Sequence, residues 1–254
     1  MSNNSTNLSK PRVLIFIVAY NAEKTIASVV RRIPAELARC YEIEILIIDD
    51  ASGDRTFLEG HIVSKATDVP FPIRVLFNPV NQGYGGNQKI GYHYAIENGF
   101  DYVALLHGDG QYAPERLPAL LERITRKDVG AVLGSRMLTR MGALRGGMPL
   151  YKFVGNRILT WIENRLLHSQ LSEFHSGYRV YSVRALVGIP FQRNSNDFHF
   201  DTEIIIQLLI ARNGIAELPI PTYYGDEICH VNGLKYACSI GKTVCKLFWV
   251  IVII

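Results

Sequence analysis

The sequence predicts an α/β fold, a mostly parallel sheet with helices on both faces. Three observations carry this. Short apolar runs rich in β-branched residues alternate with segments of helical periodicity, which implies right-handed βαβ units. The runs are apolar nearly throughout rather than at every second position, the pattern of strands covered on both sides. Polar clusters fall where those runs end, at Tyr20-Asn21, Asp49-Asp50, 78–86 and 107–111, and ligands of parallel sheets bind at the carboxyl ends of strands.

Taken in order, strands are expected at 13–19, 43–48, 73–77, 102–106 and 130–133, the apolar runs. Helices are expected between them at 23–37, 54–65, 84–97 and 114–126, where apolar residues recur at helical spacing and Asp54 or Pro114 marks a start. After Arg136 the pattern changes. Residues 137–148 hold three glycines and two arginines and read as a mobile loop. A helix over 149–167 begins with Pro149 near its first turn. Residues 171–181 are irregular, then strand-like. A helix over 201–212 is stopped by Asn213-Gly214, and a strand over 215–223 carries Pro219 and Pro221, which suit a sheet edge. A last helix spans 235–250. The organisation expected is a disordered polar tail at 1–10, one domain over 11–233, and a membrane-proximal carboxyl-terminal helix, amphipathic and then apolar, at 234–254.

The length and the 48% apolar content fit one large domain with a full core. The net charge of +4 is small, but six basic residues against one acid lie between Arg136 and Arg165, which favours phosphate-bearing partners. That stretch has no recognisable nucleic-acid module, so nucleic-acid binding is not expected. Cys40, Cys229, Cys238 and Cys245 lack CxxC spacing and read as reduced thiols. The amino terminus has no signal-peptide core, which points to a cytoplasmic domain. The apolar end, 247–254, is shorter than the roughly 20 residues that span a bilayer.

Four constellations bear on chemistry. His107, Asp109 and Gln111 alternate at a strand end; in extended chain they project to one side and could hold a divalent cation and its diphosphate. Strand-end capping with His107 as a buried imidazole is the plain alternative. Asp49-Asp50 ends the second strand, where a carboxylate can accept hydrogen bonds from a base or ribose, or can simply close the turn. The turn Asn81-Gln-Gly83-Tyr-Gly-Gly86 enters a helix whose N–H groups suit an anion, although an ordinary tight turn explains it equally. Glu173, near His175 and Arg179, reads as a general base or as a salt-bridge partner of Arg179 or of the basic segment. Asp201 and Glu203 are read as helix-end electrostatics.

In this order the motifs resemble glycosyltransferase family 2, and within it the branch of dolichol-phosphate mannosyltransferases and polyprenyl-phosphate sugar transferases. The likeness rests on Val18-Ala-Tyr-Asn21-Ala-Glu23, Ile48-Asp-Asp-Ala-Ser-Gly-Asp54, Asn81-Gln-Gly-Tyr-Gly-Gly86, Gly134-Ser-Arg136, Ser176-Gly-Tyr-Arg179 and Glu217-Leu-Pro-Ile220. It implies a GT-A fold with a Rossmann-like sheet, an NDP-sugar donor and Mg²⁺ or Mn²⁺. It places Ala19, Tyr20, Glu23 and Asp50 around the nucleotide, with Gly83 in the glycine-rich turn. Asp109 and Gln111 match the metal and diphosphate ligands. Arg136, with Lys152 or Arg157, matches the cations that hold an acceptor phosphate. Two residues depart from the family pattern. His107 stands where the first carboxylate of Asp-x-Asp belongs, a softer donor that favours Mn²⁺, and Glu173 replaces an Asp.

The expected activity is inverting sugar transfer to a polyprenyl or dolichyl phosphate, with Asp109, Arg136 and Glu173 as the catalytic group. An acceptor phosphate is mostly ionised at neutral pH, so it needs positioning more than a base. A saccharide hydroxyl acceptor would need Glu173 as base. A non-catalytic nucleotide-sugar binder is the rival that His107 raises. Lys235, Lys242 and Lys246, followed by Trp249 and the apolar end, suit peripheral docking at the cytoplasmic membrane face.

Overall fold

The computed structural model describes residues 9–139 and 141–222. The tail at 1–8, Arg140, and everything from Tyr223 onward lie outside the described residues, including the helix expected at 235–250.

Seven strands form one sheet in the order β3-β2-β1-β4-β6-β5-β7. They are β1 (Arg12–Ala19), β2 (Glu42–Asp49), β3 (Ile73–Phe77), β4 (Tyr102–His107), β5 (Ala131–Ser135), β6 (Arg179–Ser182) and β7 (Ile215–Pro219). β1 lies parallel to both β2 and β4, β2 to β3, and β5 to β7. β6 runs antiparallel between β4 and β5. The late strand thus inserts between its two predecessors, which no local pattern announced. β7, with its Pro219, is an edge as expected.

The continuous apolar character of β1 follows from its position. Val13, Ile15 and Ile17 pack on one face, with Val29, Leu117 and Leu121. Leu14 and Phe16 pack on the other, with Tyr92, Phe200 and Ile204. Successive side chains point to opposite faces, so a strand covered on both sides is apolar throughout. The covering helices are α1 (Ile26–Arg31), α2 (Thr56–Ser64), α3 (Tyr84–Glu97), α4 (Leu117–Ile124), α5 (Gly142–Arg145), α6 (Leu150–Leu167), α7 (Val183–Val187) and α8 (Phe200–Ile210).

Some expectations are corrected. The helix expected over 23–37 ends at Arg31, because Pro34 cannot continue it; a 3₁₀ turn, Ala35–Arg39, follows. The loop expected at 137–148 contains α5, and its Met137, Ala143 and Met148 form a small buried cluster with Phe153. α2 starts at Thr56 with Arg55 at the N-cap position, two residues later than expected; Asp54 stands just outside it, accepting the Thr56 N–H at 2.9 Å and its hydroxyl at 2.5 Å.

α3 lies close against β1 because Gly91 faces Phe16; a Cβ at Gly91 would stand 2.2 Å from that ring. Gly91→Ala is therefore expected to cost about 1–3 kcal/mol through overpacking. Urea unfolding measures this, and an unchanged midpoint would contradict the tight contact.

Candidate active site

Parallel pairing sets the carboxyl ends of β1, β2 and β4 side by side. Ala19 is in register with Asp49 and Val18 with His107. The ladder continues past the strands: Asp50 N–H donates to Ala19 O at 2.9 Å, Gly108 N–H to Val18 O at 2.8 Å and Asn78 N–H to Asp49 O at 2.9 Å. Each polar cluster noted in the sequence is thereby brought to one edge.

The two adjacent acids divide their work. Asp49 Oδ1 accepts from the Ser52 N–H at 3.0 Å and from its hydroxyl at 2.5 Å, closing the turn. Asp50 Oδ1 accepts from Asn78 Nδ2 and from the Gln82 N–H, both at 2.8 Å. Its Oδ2 has no partner among the described residues and is not sealed from solvent. Asp50 therefore anchors the glycine-rich turn through one oxygen and leaves the other unpaired among the described residues. Near it, Tyr20 is half exposed. The neighbouring Glu23 accepts the Arg55 N–H at 3.1 Å and so ties the β1 loop to the β2 loop.

The anion site expected at the start of α3 is closed from within. Gly83 N–H donates to Asn81 Oδ1 at 2.9 Å, and the Gly85 and Gly86 N–H groups both point at Asn196 O, at 2.8 and 3.3 Å. Gly83 has a φ of 78°, and a Cβ there would meet Asn196 O at 2.5 Å. Its role is close packing against 194–196, and its N–H is not free for a nucleotide.

The alternation at 107–111 does not survive either. The chain turns after β4, and Gly110 has a φ of 79°, so the extended register is lost. Asp109 is exposed, with Oδ1 accepting the Gln111 N–H at 2.9 Å. His107 is largely enclosed, its Nε2 3.0 Å from the Tyr84 hydroxyl and its ring edge-on to Tyr112. Burial pushes the imidazole below its ordinary value, against the pull of Asp109. Among the described residues, no three His, Cys, Asp or Glu side chains stand together as a metal cage. Asp109 with a neutral imidazole two residues away suits instead a cation that takes most of its ligands from a bound diphosphate.

On the far side of β4, at the end of β5, Arg136 and Glu173 form a buried ion pair. The Arg136 N–H donates to Glu173 Oε2 at 2.7 Å, and its Nε to Oε1 at 2.9 Å. Asn156 of α6 donates to the same Oε1 at 2.9 Å. Burial pushes the Glu173 carboxyl up, but Arg136 and Asn156 outweigh it and hold it below the ordinary value. Of the alternatives open for Glu173, the partner is the basic segment, not Arg179. On the outer part of α6, Lys152 is half-buried and Arg157 is exposed over the Phe153 ring.

Arg179 pairs with Asp201 instead. Asp201 does not cap α8 as expected; it turns inward to meet Arg179, Tyr84 at 3.0 Å and Gln88 at 3.1 Å. Tyr84, Tyr112 and Gly177 are further residues at the site that the sequence did not single out. The Tyr112 hydroxyl accepts the Gly177 N–H at 2.7 Å, and burial pushes that phenol up to about 12. The signal available for Tyr84 was its place between glycines on a ligand-facing turn.

Glu173→Gln removes the charge that Arg136 faces and is expected to cost about 3–5 kcal/mol in unfolding free energy. Because the native carboxyl titrates below the ordinary 4.5, its stabilisation is complete above that pH and is lost as pH falls toward the lowered native value. Denaturation between pH 7 and pH 3 should therefore show the gap between wild type and variant narrowing on acidification. A constant gap would contradict the pairing.

Known proteins fit this arrangement. The glycosyl transferase family 2 pattern matches residues 14–188. An undecaprenyl-phosphate mannosyltransferase of Micrococcus luteus is 27% identical over 82% of this chain and 82% of its own length. A UDP-N-acetylglucosamine–dolichyl-phosphate N-acetylglucosaminyltransferase of Methanococcus voltae is 29% identical, over 84% of this chain and 86% of its own. The crystal structure of glucosyl-3-phosphoglycerate synthase from Mycobacterium tuberculosis, in complex with Mn²⁺, UDP and phosphoglyceric acid, superposes with a TM-score of 0.69. It covers 94% of this chain and 79% of its own at 16% identity, and so shares the fold. Matched over more than half of its length, and with a sheet that gathers the matched motifs at one edge, the chain belongs to glycosyl transferase family 2.

Proposed function

We propose that the protein transfers a sugar, with inversion, from an NDP-sugar to a polyprenyl or dolichyl phosphate at the cytoplasmic face of a membrane. The observation that carries the donor half is the juxtaposition of Asp50 Oδ2 and Asp109 at the ends of strands flanking β1. Asp50 would accept from base or ribose, beside Ala19 and the exposed ring of Tyr20. Asp109, with His107, would hold Mg²⁺ or Mn²⁺, which when bound supplies positive charge against the leaving diphosphate; the turn at Gly110 takes Gln111 out of the expected register.

The acceptor half rests on Glu173. A hydroxyl acceptor needs a general base, but both oxygens of Glu173 are engaged by Arg136 and Asn156. An acceptor phosphate has a second pKa of about 6 and attacks already ionised, so the site need only position it. Arg136, Lys152 and Arg157 bring positive charge to that side. Both named relatives act on lipid phosphates, which agrees with this choice.

A lipid acceptor must be met at a bilayer. No helix among the described residues is long and apolar enough to cross one. α6 nonetheless exposes Leu150, Tyr151, Val154, Ile158 and Trp161, at spacings that share a helix face. With Arg157 on the same helix, this face suits peripheral docking to anionic lipid. The helix that braces Glu173 would then also touch the membrane.

A donor panel assayed with polyprenyl phosphate and Mn²⁺ tests the reaction. Asp109→Asn is expected to lower turnover by on the order of 100-fold or more; full turnover of that variant in EDTA would overturn the cation assignment. Docking is tested by sedimentation with anionic liposomes. Replacing Ile158 and Trp161 with Asp should weaken partition about tenfold, equivalent to about 1.4 kcal/mol, with the circular dichroism unchanged. Equal sedimentation would remove α6 from the membrane contact.

A further inference from the structure

Four side chains from three elements converge behind His107. Arg179 of β6 is fully buried and ion-paired with Asp201 of α8, Nη2 to Oδ2, at 3.4 Å. The same Oδ2 accepts the hydroxyl proton of Tyr84, from α3, at 3.0 Å. Gln88, one turn along α3, donates to Oδ1 at 3.1 Å. The Tyr84 oxygen in turn lies 3.0 Å from His107 Nε2.

The direction of this chain follows from counting protons. An ion-paired carboxylate has acceptors only, so the single phenol proton points to Asp201. A phenol keeps its proton at neutral pH, and Tyr84 donates it to Asp201 Oδ2. Toward His107 the phenol oxygen can then only accept, and Nε2 must carry the hydrogen. A neutral imidazole has one N–H, which leaves the lone pair on Nδ1. That nitrogen has no hydrogen-bond partner among the described residues and is not sealed from solvent. Space around the contact is tight: a Cβ at Gly177 would stand 2.5 Å from Nε2 and 2.8 Å from the Tyr84 oxygen. The imidazole also stands edge-on to both Tyr84 and Tyr112.

We propose that Arg179, Asp201 and Tyr84 are a positioning relay that fixes His107 in its Nε2–H tautomer, so that Nδ1 serves as the nitrogen ligand of the divalent cation held by Asp109. The inference rests on the cation reading given above and adds to it. A ligating histidine is ordinarily oriented by a hydrogen bond from its other ring nitrogen, and here a phenol–carboxylate–guanidinium chain takes that part. A nitrogen donor in place of a carboxylate shifts preference from Mg²⁺ toward Mn²⁺. The relay also accounts for a buried Asp201 that caps nothing and a tyrosine placed between glycines.

The test uses the full-length protein with ¹⁵N-labelled histidine, without metal, the His107 signals being assigned by their loss in His107→Ala. Wild type should show a pyridine-like Nδ1 and a pyrrole-like Nε2. Tyr84→Phe keeps the ring and leaves Asp201 paired with Arg179 and Gln88, so it should fold. It should also give a mixture of tautomers and, with UDP present to complete the cation's ligands, bind Mn²⁺, titrated by electron paramagnetic resonance, about 10- to 100-fold more weakly. A pyrrole-like Nδ1 in wild type, or unchanged Mn²⁺ affinity in a folded Tyr84→Phe, overturns the relay. Unchanged Mn²⁺ affinity in Asp109→Asn overturns the cation reading itself, whatever the histidine spectrum; a normal Asp109 dependence beside the wrong tautomer removes the relay alone.

Discussion

Arg179 carries a full positive charge with none of its surface in water, and the centre of the molecule is arranged around satisfying it. Its Nε donates to Ser176 O at 2.7 Å, and its Nη groups to Asp201 O at 2.7 Å, Phe174 O at 2.8 Å and the Tyr181 hydroxyl at 3.3 Å. Burying an ion costs several kcal/mol unless its partners are well placed. Burial alone would lower the guanidinium's proton affinity, yet Asp201, Tyr181 and Tyr84 reverse that and keep it charged. These bonds hold the 174–179 segment, β6 and α8 in one geometry. β6 is the strand that joins the parallel β1–β4 half of the sheet to β5 and β7, so the two halves of the site are joined through this residue's surroundings.

A second buried pair, Arg136 with Glu173, stands where the acceptor is proposed to bind. The two pairs differ in what lies beyond them. Arg179 and Asp201 continue through Tyr84 to His107 on the donor side. Arg136 and Glu173 continue through Asn156 to α6 and its exposed apolar face. Ser172 and Glu173 are themselves held by Glu217, whose carboxylate accepts the Ser172 N–H at 2.8 Å and the Glu173 N–H at 3.2 Å. Rigid, internally satisfied charges of this kind would need no reorganisation on binding the proposed acceptor phosphate, which is how a site built on positioning would lower a barrier.

Much of the framework was legible in the sequence. The strands at the centre appear as apolar runs because burial on both faces leaves no polar position, and the polar clusters at their ends appear because a parallel sheet opens there. The family resemblance added an order to those clusters that no single motif carried. What was misread concerned turns and partners. Pro34 divides a stretch whose apolar spacing alone looked like one helix. The extended alternation of His107, Asp109 and Gln111 gave way to a turn at Gly110. The glycine-rich entry to α3 looked open to an anion until Asn196, more than a hundred residues later, supplied its carbonyl.

The sequence by itself determined the local elements, their mostly parallel arrangement and which chemical groups stand at the strand ends, because periodicity and turn chemistry act over a few neighbouring residues. Only the tertiary structure decided that β6 runs antiparallel between β4 and β5, that Glu173 meets Arg136 while Arg179 meets Asp201, and that His107 faces Tyr84. Charges of either sign near one another in the chain permit several pairings. Which one forms depends on the direction of each hydrogen bond between residues as far apart as Tyr84 and Asp201, separated by 117 positions, and that direction exists only once the sheet has closed around them.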